Sequence, residues 1–238
     1  MKQDELFQEK HAVAALIDHT LLKPESTPGD IDRLCDEALI HCFSTACVNP
    51  CWVPLAARRL EQSPVRVCTV VGFPLGANAT VVKLHEAGIA RQQGAEEIDM
   101  VMNIGALRAG DYHLVHKDIA DVADVVHHGG GILKLILETS LLDDDEKVKA
   151  CRLAMEAGAD FVKTSTGFSN AGATVHDVRL MRQTVGDRID VKAAGGIRSL
   201  SSLREMVAAG ASRIGTSASV QIIGELDGSP ERQTTGRY

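Results

Sequence analysis

The sequence is poor in aromatic residues and has no surplus of basic ones. Its 238 residues include one tryptophan, two tyrosines and five phenylalanines, and 25 lysines and arginines face 32 aspartates and glutamates. The hydrophobic core must therefore be aliphatic. A formal net charge of -7 argues against a sequence-independent grip on nucleic acid, which requires a basic surface. A local basic pocket for a small anion is still compatible with this balance.

Long apolar runs and paired cysteines are also missing. No segment approaches the roughly 20 apolar residues of a membrane span, and residues 1–20 do not form a signal peptide, so we expect a cytoplasmic protein that does not contact a membrane. The six cysteines show no CxxC spacing, and we interpret them as buried, reduced thiols. Cys47 and Cys51 are separated by Pro50 and followed by no second ligand pair, so no metal site is predicted.

Short apolar runs alternate with segments of helical periodicity. The eight candidate strands cover residues 16–22, 44–49, 65–73, 97–104, 132–139, 161–166, 189–196 and 212–218. Apolar residues recur at every third and fourth position in the intervening segments, as at 30–40, 81–93, 145–157 and 199–209, which is typical of amphipathic helices. Three of these segments end in Gly-Ala just before a strand, at Gly94, Gly158 and Gly210, where glycine can form a left-handed helix cap.

This alternation predicts a single-domain α/β protein with the (β/α)8 TIM-barrel fold. Eight strands in 238 residues give about 30 residues per unit, and the total is close to the roughly 250 residues of such a barrel. An open doubly wound sheet is the alternative, but it favours a GxGxxG turn after the first strand, and residues 19–27 contain no glycine. We expect the catalytic barrel at 1–224 and a polar, mobile tail at 225–238.

Polar residues occur late in otherwise apolar strands. They are Asp99 in the fourth strand, Lys134 and Glu138 in the fifth, Lys163 in the sixth and Lys192 in the seventh. Alternate strands of a barrel share an interior layer and active sites lie at the carboxyl ends, so Asp99, Lys163 and Lys192 are expected to converge. A buried ion pair is the alternative for any one of them. Two neighbouring buried amines favour a neutral lysine, which can form a Schiff base with a carbonyl, and Lys134 is expected only to support this electrostatically.

Small residues follow several strands. The hydroxyls of residues 164–166, Thr166 among them, are candidates to orient the amine, water or substrate, although turn formation would also explain them. The loops after strands seven and eight carry Gly195, Gly196, Gly215 and Ser217. Barrels often bind phosphate at these two loops, so we predict a phosphate site there, with tight helix–strand packing as the alternative.

The motifs together resemble those of the deoxyribose-phosphate aldolases, a family of class I aldolases. The similarity rests on "EIDMVMNIG", "FVKTSTGF" and "VKAAGGIR" in this order, and "LIDHTLLKP", "ACVNP" and "LKLILET" extend it over about residues 16–220. The resemblance implies a (β/α)8 barrel that reversibly cleaves 2-deoxy-D-ribose 5-phosphate to D-glyceraldehyde 3-phosphate and acetaldehyde. It also implies that no metal or other cofactor takes part, because a covalent lysine imine carries the chemistry.

The resemblance implies a role for each matching residue. Lys163 matches the Schiff-base lysine, Lys192 the second lysine that favours the neutral form of the first, and Asp99 the proton donor and acceptor. Gly195, Gly196, Gly215 and Ser217 match phosphate-contacting positions. Some relatives end in a tyrosine that aids proton transfer, and this chain ends in Tyr238, for which a frayed terminus is the alternative.

Two positions depart from the family pattern. Phe168 stands where some relatives have a phosphate-binding lysine, and Ala218 where some have a second serine, so weaker or less selective phosphate binding is expected. The expected partners are a phosphorylated sugar, small aldehydes and further copies of the chain, assembled as a homo-oligomer and most simply a dimer. A transaldolase-like barrel explains the Lys163–Lys192 pair less well, and a non-catalytic sugar-phosphate sensor would bind without forming an imine.

Overall fold

Eight parallel strands close into a barrel in sequence order, with the last strand paired to the first. The computed structural model describes residue 7 and residues 9–228. The strands are Ile17–Leu21 (β1), Thr45–Val48 (β2), Arg66–Val71 (β3), Glu97–Val101 (β4), Ile132–Ile136 (β5), Phe161–Lys163 (β6), Asp190–Ala194 (β7) and Arg213–Thr216 (β8). The α-helices are Lys10–Ala14 (α1), Pro28–His41 (α2), Val53–Arg59 (α3), Thr80–Gln92 (α4), Ile104–Arg108 (α5), Tyr112–His127 (α6), Asp144–Glu156 (α7), Val175–Val185 (α8), Leu200–Ala209 (α9) and Ser219–Leu226 (α10). The predicted TIM-barrel fold is confirmed.

The helices begin and end at the residue types that the sequence provides. Thr27 and Asp30 form a capping box at the start of α2, with Pro28 in its first turn. Gly94, Gly158 and Gly210, predicted to follow helices, all have positive φ, and at Gly210 a side chain would also collide with Arg182. Within residues 9–228, no helix is both long and apolar enough to cross a membrane.

The strands are shorter than predicted at their carboxyl ends. β6 stops at Lys163 although its apolar run extends to residue 166, because the chain turns away at the mouth of the barrel. Left-handed backbone follows β5 at Glu138 and β7 at Gly195. Lys163, Glu138 and Gly195 therefore lie where regular pairing ends, whereas Asp99, Lys134 and Lys192 lie within paired strands. The last helix, α10, continues to Leu226, past residue 224, where we expected the barrel to end and the tail to begin.

Side chains alternate between two environments along the strands. Outward-facing residues such as Ile98, Met100 and Leu133 are fully buried in the aliphatic core shared with the helices. Inside the barrel, a small apolar cluster of Leu22, Cys47, Cys68 and Val70 accompanies buried polar groups. Each strand supplies at least one buried ionisable side chain to this interior, namely Asp18, Cys47, Cys68, Asp99, Lys134, Lys163, Lys192 and Arg213 in strand order.

The cysteine prediction was right at four positions and wrong at two. Cys42 and Cys51 are exposed, whereas the other four thiols are buried and free. Cys42 forms the left-handed end of α2, and Cys51 lies in a single helical turn after β2, so neither belongs to a periodic apolar face. Cys47 lies inside the barrel and Cys51 outside, which separates the pair considered as zinc ligands.

Candidate active site

The centre of the barrel holds one carboxylate surrounded by three amines. Asp99 Oδ2 accepts hydrogen bonds from Lys163 Nζ and Lys192 Nζ, each at 2.7 Å, and Oδ1 accepts one from Lys134 Nζ at 2.8 Å. Strand register explains the meeting, because Asp99 pairs with Lys134 across β4 and β5, and Lys163 pairs with Lys192 across β6 and β7. The structure thus brings Asp99, Lys163 and Lys192 together, with Lys134 in direct contact.

Three further charged residues form a layer beneath this group. Asp18 Oδ1 accepts hydrogen bonds from Arg213 Nε at 2.9 Å and Nη2 at 2.7 Å, and its Oδ2 lies 2.5 Å from Lys192 Nζ. Glu97 Oε2 lies 2.7 Å from Lys134 Nζ and 2.9 Å from Arg213 Nη2. Sequence reasoning missed all three. Their signal was a charged residue within a short, largely apolar strand, the same signal that identified Asp99.

The charged forms in this cluster support one another. Burial alone would raise the pKa of Asp99, but Lys134, Lys163 and Lys192 hold it well below its usual range. Burial alone would lower the pKa of Lys192, but the carboxylates of Asp18 and Asp99 raise it above its usual range. Asp99 is therefore a carboxylate and Lys192 an ammonium group near neutral pH.

The charges in the interior do not balance. Within the cluster of side chains joined by direct contacts, four basic groups (Lys134, Lys163, Lys192 and Arg213) meet three carboxylates (Asp18, Glu97 and Asp99). Lys134 Nζ lies within 4 Å of all three carboxylates, Lys192 Nζ of two and Lys163 Nζ of one. Lys163 is therefore the amine with the fewest carboxylate partners in the cluster.

This arrangement corrects the simple picture of two amines that repel each other. The Asp99 carboxylate lies between Lys163 and Lys192, and Lys163 has no other carboxylate contact among the described residues. Lys163 is 3% exposed whereas Lys192 and Lys134 are fully buried, so Lys163 is also the amine nearest the open mouth. Both features favour Lys163 as a nucleophile.

A pocket of about 270 Å³ opens at the carboxyl ends of β6 and β7, slightly smaller than the ~300–1,000 Å³ typical of small-molecule sites. It lies between the loops after β6 and β7, and its lining consists of residues 167–172 with Gly195, Gly196 and Arg198. Gly172 must be glycine, because a Cβ would lie 2.1 Å from the carbonyl oxygen of Gly195. Arg198 is the one charged side chain among these lining residues, and sequence reasoning did not single it out. A basic residue in a small-residue loop was its signal.

The other predicted phosphate residues lie apart from this lining. A Cβ on Gly215 would approach Lys192 Cε to 3.1 Å, so glycine makes room there for the lysine side chain. Ser217 is exposed in the turn after β8, where Thr216 Oγ1 ties the two neighbouring loops by donating to Ile197 O at 2.6 Å. The pocket is lined by the loops after β6 and β7, and phosphate binding at Gly215 and Ser217 stays a prediction. Tyr238 lies outside the described residues.

The three hydroxyl residues after Lys163 have different surroundings. Thr164 Oγ1 donates to Ala194 O and accepts from Ala194 N, both at 3.0 Å, which joins the ends of β6 and β7. The Thr166 hydroxyl donates to Glu138, so this group is engaged within the protein rather than free for a substrate. Ser165 Oγ is buried and has no hydrogen-bond partner among the described residues, which leaves it available to a bound molecule.

The donor set at the centre does not suit a metal ion. Cys47, Cys68 and Asp99 place potential ligand atoms within 4.8 Å of one another. However, the Asp99 oxygens already bind three amines, and Lys134 Nζ lies 3.3 Å from Cys68 Sγ. A divalent cation would be repelled by these ammonium groups at short range.

Comparison with known proteins agrees with this geometry. The family model described as DeoC/LacD family aldolase matches residues 12–226. The chain is 57% identical over 207 residues to the deoxyribose-phosphate aldolase of Streptococcus equi subsp. zooepidemicus, covering 87% of this chain and 93% of the relative. It is 54% identical over 213 residues to that of Carboxydothermus hydrogenoformans, covering 89% and 93%. The tetrameric deoxyribose phosphate aldolase structure from Aeropyrum pernix matches with a TM-score of 0.87 at 32% identity, covering 95% of this chain and 98% of that one.

Proposed function

The chain belongs to the DeoC/LacD family of aldolases, and we propose on that basis that it reversibly cleaves 2-deoxy-D-ribose 5-phosphate to D-glyceraldehyde 3-phosphate and acetaldehyde. The observation that carries the proposal is the binding of Lys163 Nζ and Lys192 Nζ to the same oxygen of Asp99, each at 2.7 Å. One amine is then available for covalent attack, and a charged amine and a carboxylate lie beside it for proton transfer.

Lys163 acts as the nucleophile. Its neutral Nζ attacks the aldehyde carbon of the open-chain sugar, and the resulting carbinolamine loses water to give an iminium ion. The iminium withdraws electrons from the bond between the second and third carbons of the sugar. Few carboxylate contacts and a position at the barrel mouth support this role for Lys163.

Asp99 and Lys192 lie beside Lys163 and serve proton transfer. The proton of the third-carbon hydroxyl passes through water to the Asp99 carboxylate as the carbon–carbon bond breaks, which releases D-glyceraldehyde 3-phosphate and leaves an enamine on Lys163. The same proton then returns to the enamine carbon, and hydrolysis of the imine frees acetaldehyde and the amine. A strongly paired carboxylate is a weak base, so Asp99 becomes effective only when its hydrogen bond from Lys163 Nζ is released as Lys163 attacks the aldehyde.

The pocket between the loops after β6 and β7 receives the phosphate. Arg198 supplies a positive charge, and Gly195 and Gly196 allow the backbone to approach the anion closely. Ser165 bonds a sugar hydroxyl through its unpartnered oxygen. Gly215 and Ser217 complete the surrounding loops without lining the pocket itself, and Tyr238 assists proton transfer if the tail reaches the mouth.

The proposed enzyme needs no metal or organic cofactor, because the Lys163 iminium itself serves as the electron sink. We also propose that it works in the cytoplasm and that its 1–224 barrel assembles as a homodimer. The Aeropyrum pernix relative forms a tetramer, so the oligomeric state of this chain should be measured by light scattering coupled to size-exclusion chromatography. Full activity after treatment with a chelator would support the cofactor-free mechanism.

Trapping of the covalent intermediate tests the proposal. The protein is reduced with borohydride in the presence of 2-deoxyribose 5-phosphate or acetaldehyde and digested for peptide mass spectrometry. We expect a reduced adduct on Lys163 and its loss in Lys163→Leu. An adduct on Lys134 or Lys192 would reassign the nucleophile, and no adduct on a folded protein that binds the sugar would favour the sensor. Release of acetaldehyde, measured with an alcohol dehydrogenase assay, separates this activity from a transaldolase-like one.

A further inference from the structure

Glu138 is a buried carboxylate in an unfavourable backbone conformation at the mouth of the barrel. It is 1% exposed and has φ 56° and ψ 64°, in the left-handed region that non-glycine residues rarely adopt. Its neighbours fix it there, because Leu137 N donates to Lys163 O at 2.9 Å and Thr139 N donates to Thr164 O at 3.0 Å. This backbone conformation is unfavourable for a residue with a side chain, so we expect the side chain of Glu138 to have a role that outweighs the cost.

The carboxylate of Glu138 binds the start of the loop that lines the pocket. Its Oε2 accepts a hydrogen bond from the Thr166 hydroxyl and another from Thr166 N at 3.3 Å. The same Thr166 hydroxyl oxygen accepts a hydrogen bond from Phe168 N at 3.0 Å. Glu138 therefore fixes the first turn of this loop, through Gly167, which has φ 87°.

The far end of the loop is bound to β7. Ala173 N donates to Gly195 O at 3.0 Å, and Gly172 packs directly against the Gly195 backbone. Residues 167–172 are thus held at both ends, and the stretch between forms one wall of the anion pocket. The Gly195 end depends only on backbone atoms, whereas the Thr166 end depends on the side chain of Glu138.

We propose that Glu138 is a positioning residue that holds the 166–172 loop in the shape required to bind a phosphate group. This inference rests on the proposed role of the pocket and extends it to selectivity for phosphorylated over unphosphorylated sugars. Glu138 acts through Thr166 and does not touch the anion. Its Oε1, buried without a hydrogen-bond partner among the described residues, marks the carboxylate as incompletely satisfied by the protein alone.

Two substitutions distinguish the effect of the Glu138 carboxylate from the effect of the backbone conformation at this position. Glu138→Gly removes the side chain but suits the left-handed conformation, so the fold should tolerate it. Glu138→Gln keeps an oxygen that can accept both Thr166 hydrogen bonds. Gln62→Gly is the matched control, because Gln62 is also a non-glycine residue with positive φ, 62°, but is exposed and belongs to the turn after α3. Thr166→Val removes the shared hydroxyl and provides a second route should Glu138→Gly fail to fold.

The primary measurement is the binding of inorganic phosphate by calorimetry, which does not depend on turnover. We expect Glu138→Gly and Thr166→Val each to weaken phosphate binding about tenfold, equivalent to about 1.4 kcal/mol, with little further loss in the double variant. Glu138→Gln should recover most of the affinity, and Gln62→Gly should match the wild type. In kinetics, the KM for 2-deoxyribose 5-phosphate should rise about tenfold in Glu138→Gly, while kcat/KM for 2-deoxyribose stays within about twofold.

The outcomes distinguish this inference from the proposed function. Unchanged phosphate affinity in Glu138→Gly, equal losses on the two sugars, or a wild type that does not bind phosphate would each overturn the role of Glu138. A wild type that binds phosphate but cleaves neither sugar would instead overturn the proposed aldolase reaction. The phosphate affinities of the variants would still decide whether Glu138 positions the loop.

Discussion

Replacing Asp18 should change the pH dependence of the enzyme through Lys192, although Asp18 lies beneath the site. Asp18 Oδ2 is 2.5 Å from Lys192 Nζ, and Asp99 supplies the only other carboxylate contact of that amine among the described residues. Both carboxylates raise the pKa of Lys192. In Asp18→Asn the ammonium form loses one of its two partners, so the pKa of Lys192 must fall.

The size of the effect follows from this single lost contact. A hydrogen bond to a charged group contributes about 1.5–3 kcal/mol, and one pKa unit corresponds to about 1.4 kcal/mol, so the pKa of Lys192 should fall by about 1–2 units. Because the proposed reaction needs Lys192 as a cation, the alkaline limb of kcat/KM should move to lower pH by the same amount.

Glu97→Gln is the matched control. Glu97 is as deeply buried as Asp18, and its replacement removes the same charge, but Glu97 contacts Lys134 and Arg213 rather than Lys192. The assay is cleavage of 2-deoxyribose 5-phosphate from about pH 7 to 12, a range that includes the alkaline limb expected from the raised pKa of Lys192, at a temperature where circular dichroism shows both variants folded. Equal shifts in the two variants, or no shift in Asp18→Asn, would refute the argument that Asp18 acts through Lys192.

Other substitutions test the remaining parts of the structure. Lys163→Leu should abolish cleavage and the borohydride-trapped adduct with an unchanged circular dichroism spectrum, and residual turnover would contradict its role as nucleophile. Arg198→Ala should raise the KM for the phosphorylated sugar at least about tenfold, since it removes a charged hydrogen-bond donor, and equal losses with 2-deoxyribose would exclude it as the phosphate ligand. The buried pair Lys83–Asp118 has side chains at most 3% exposed, so Lys83→Met should cost about 3–5 kcal/mol in urea unfolding, and a double variant with Asp118→Leu should recover most of it; additive losses would contradict this. The depressed pKa of Asp99 means that its contribution to stability is present above its unfolded pKa of about 3.9 and lost as the pH falls below about 4, so the urea midpoint should fall there in the wild type but less in Asp99→Asn.

Local patterns were sufficient to predict the barrel. Strand and helix periodicities and the glycines that end helices are properties of short segments, so they predict the order of the elements without knowledge of tertiary contacts. The positions of Asp99, Lys163 and Lys192 were predicted from the strand pattern alone, because a polar residue late in an otherwise apolar barrel strand is expected to face the interior near the mouth.

The layer beneath the site could not be predicted in this way. The contacts of Asp18 and Glu97 with Arg213 cross from β1 and β4 to β8, and they depend on how the closed barrel staggers its strands. The pocket wall depends on the fold of a loop, so short sequence patterns did not show that Gly215 also makes room for the Lys192 side chain. The left-handed backbone of Glu138 likewise results from contacts with β6 and has no sequence signal of its own.

The barrel closes where its last strand pairs with its first, and a buried ion pair joins these two strands. Arg213 belongs to the last strand, and Asp18, whose Oδ1 accepts hydrogen bonds from both Nε and Nη2 of Arg213, belongs to the first. A nascent polypeptide that has not yet released β8 from the ribosome lacks the guanidinium that Asp18 and Glu97 require, and its half-built interior would leave these carboxylates hydrated. The charge network around the site is therefore completed only when β8 joins β1.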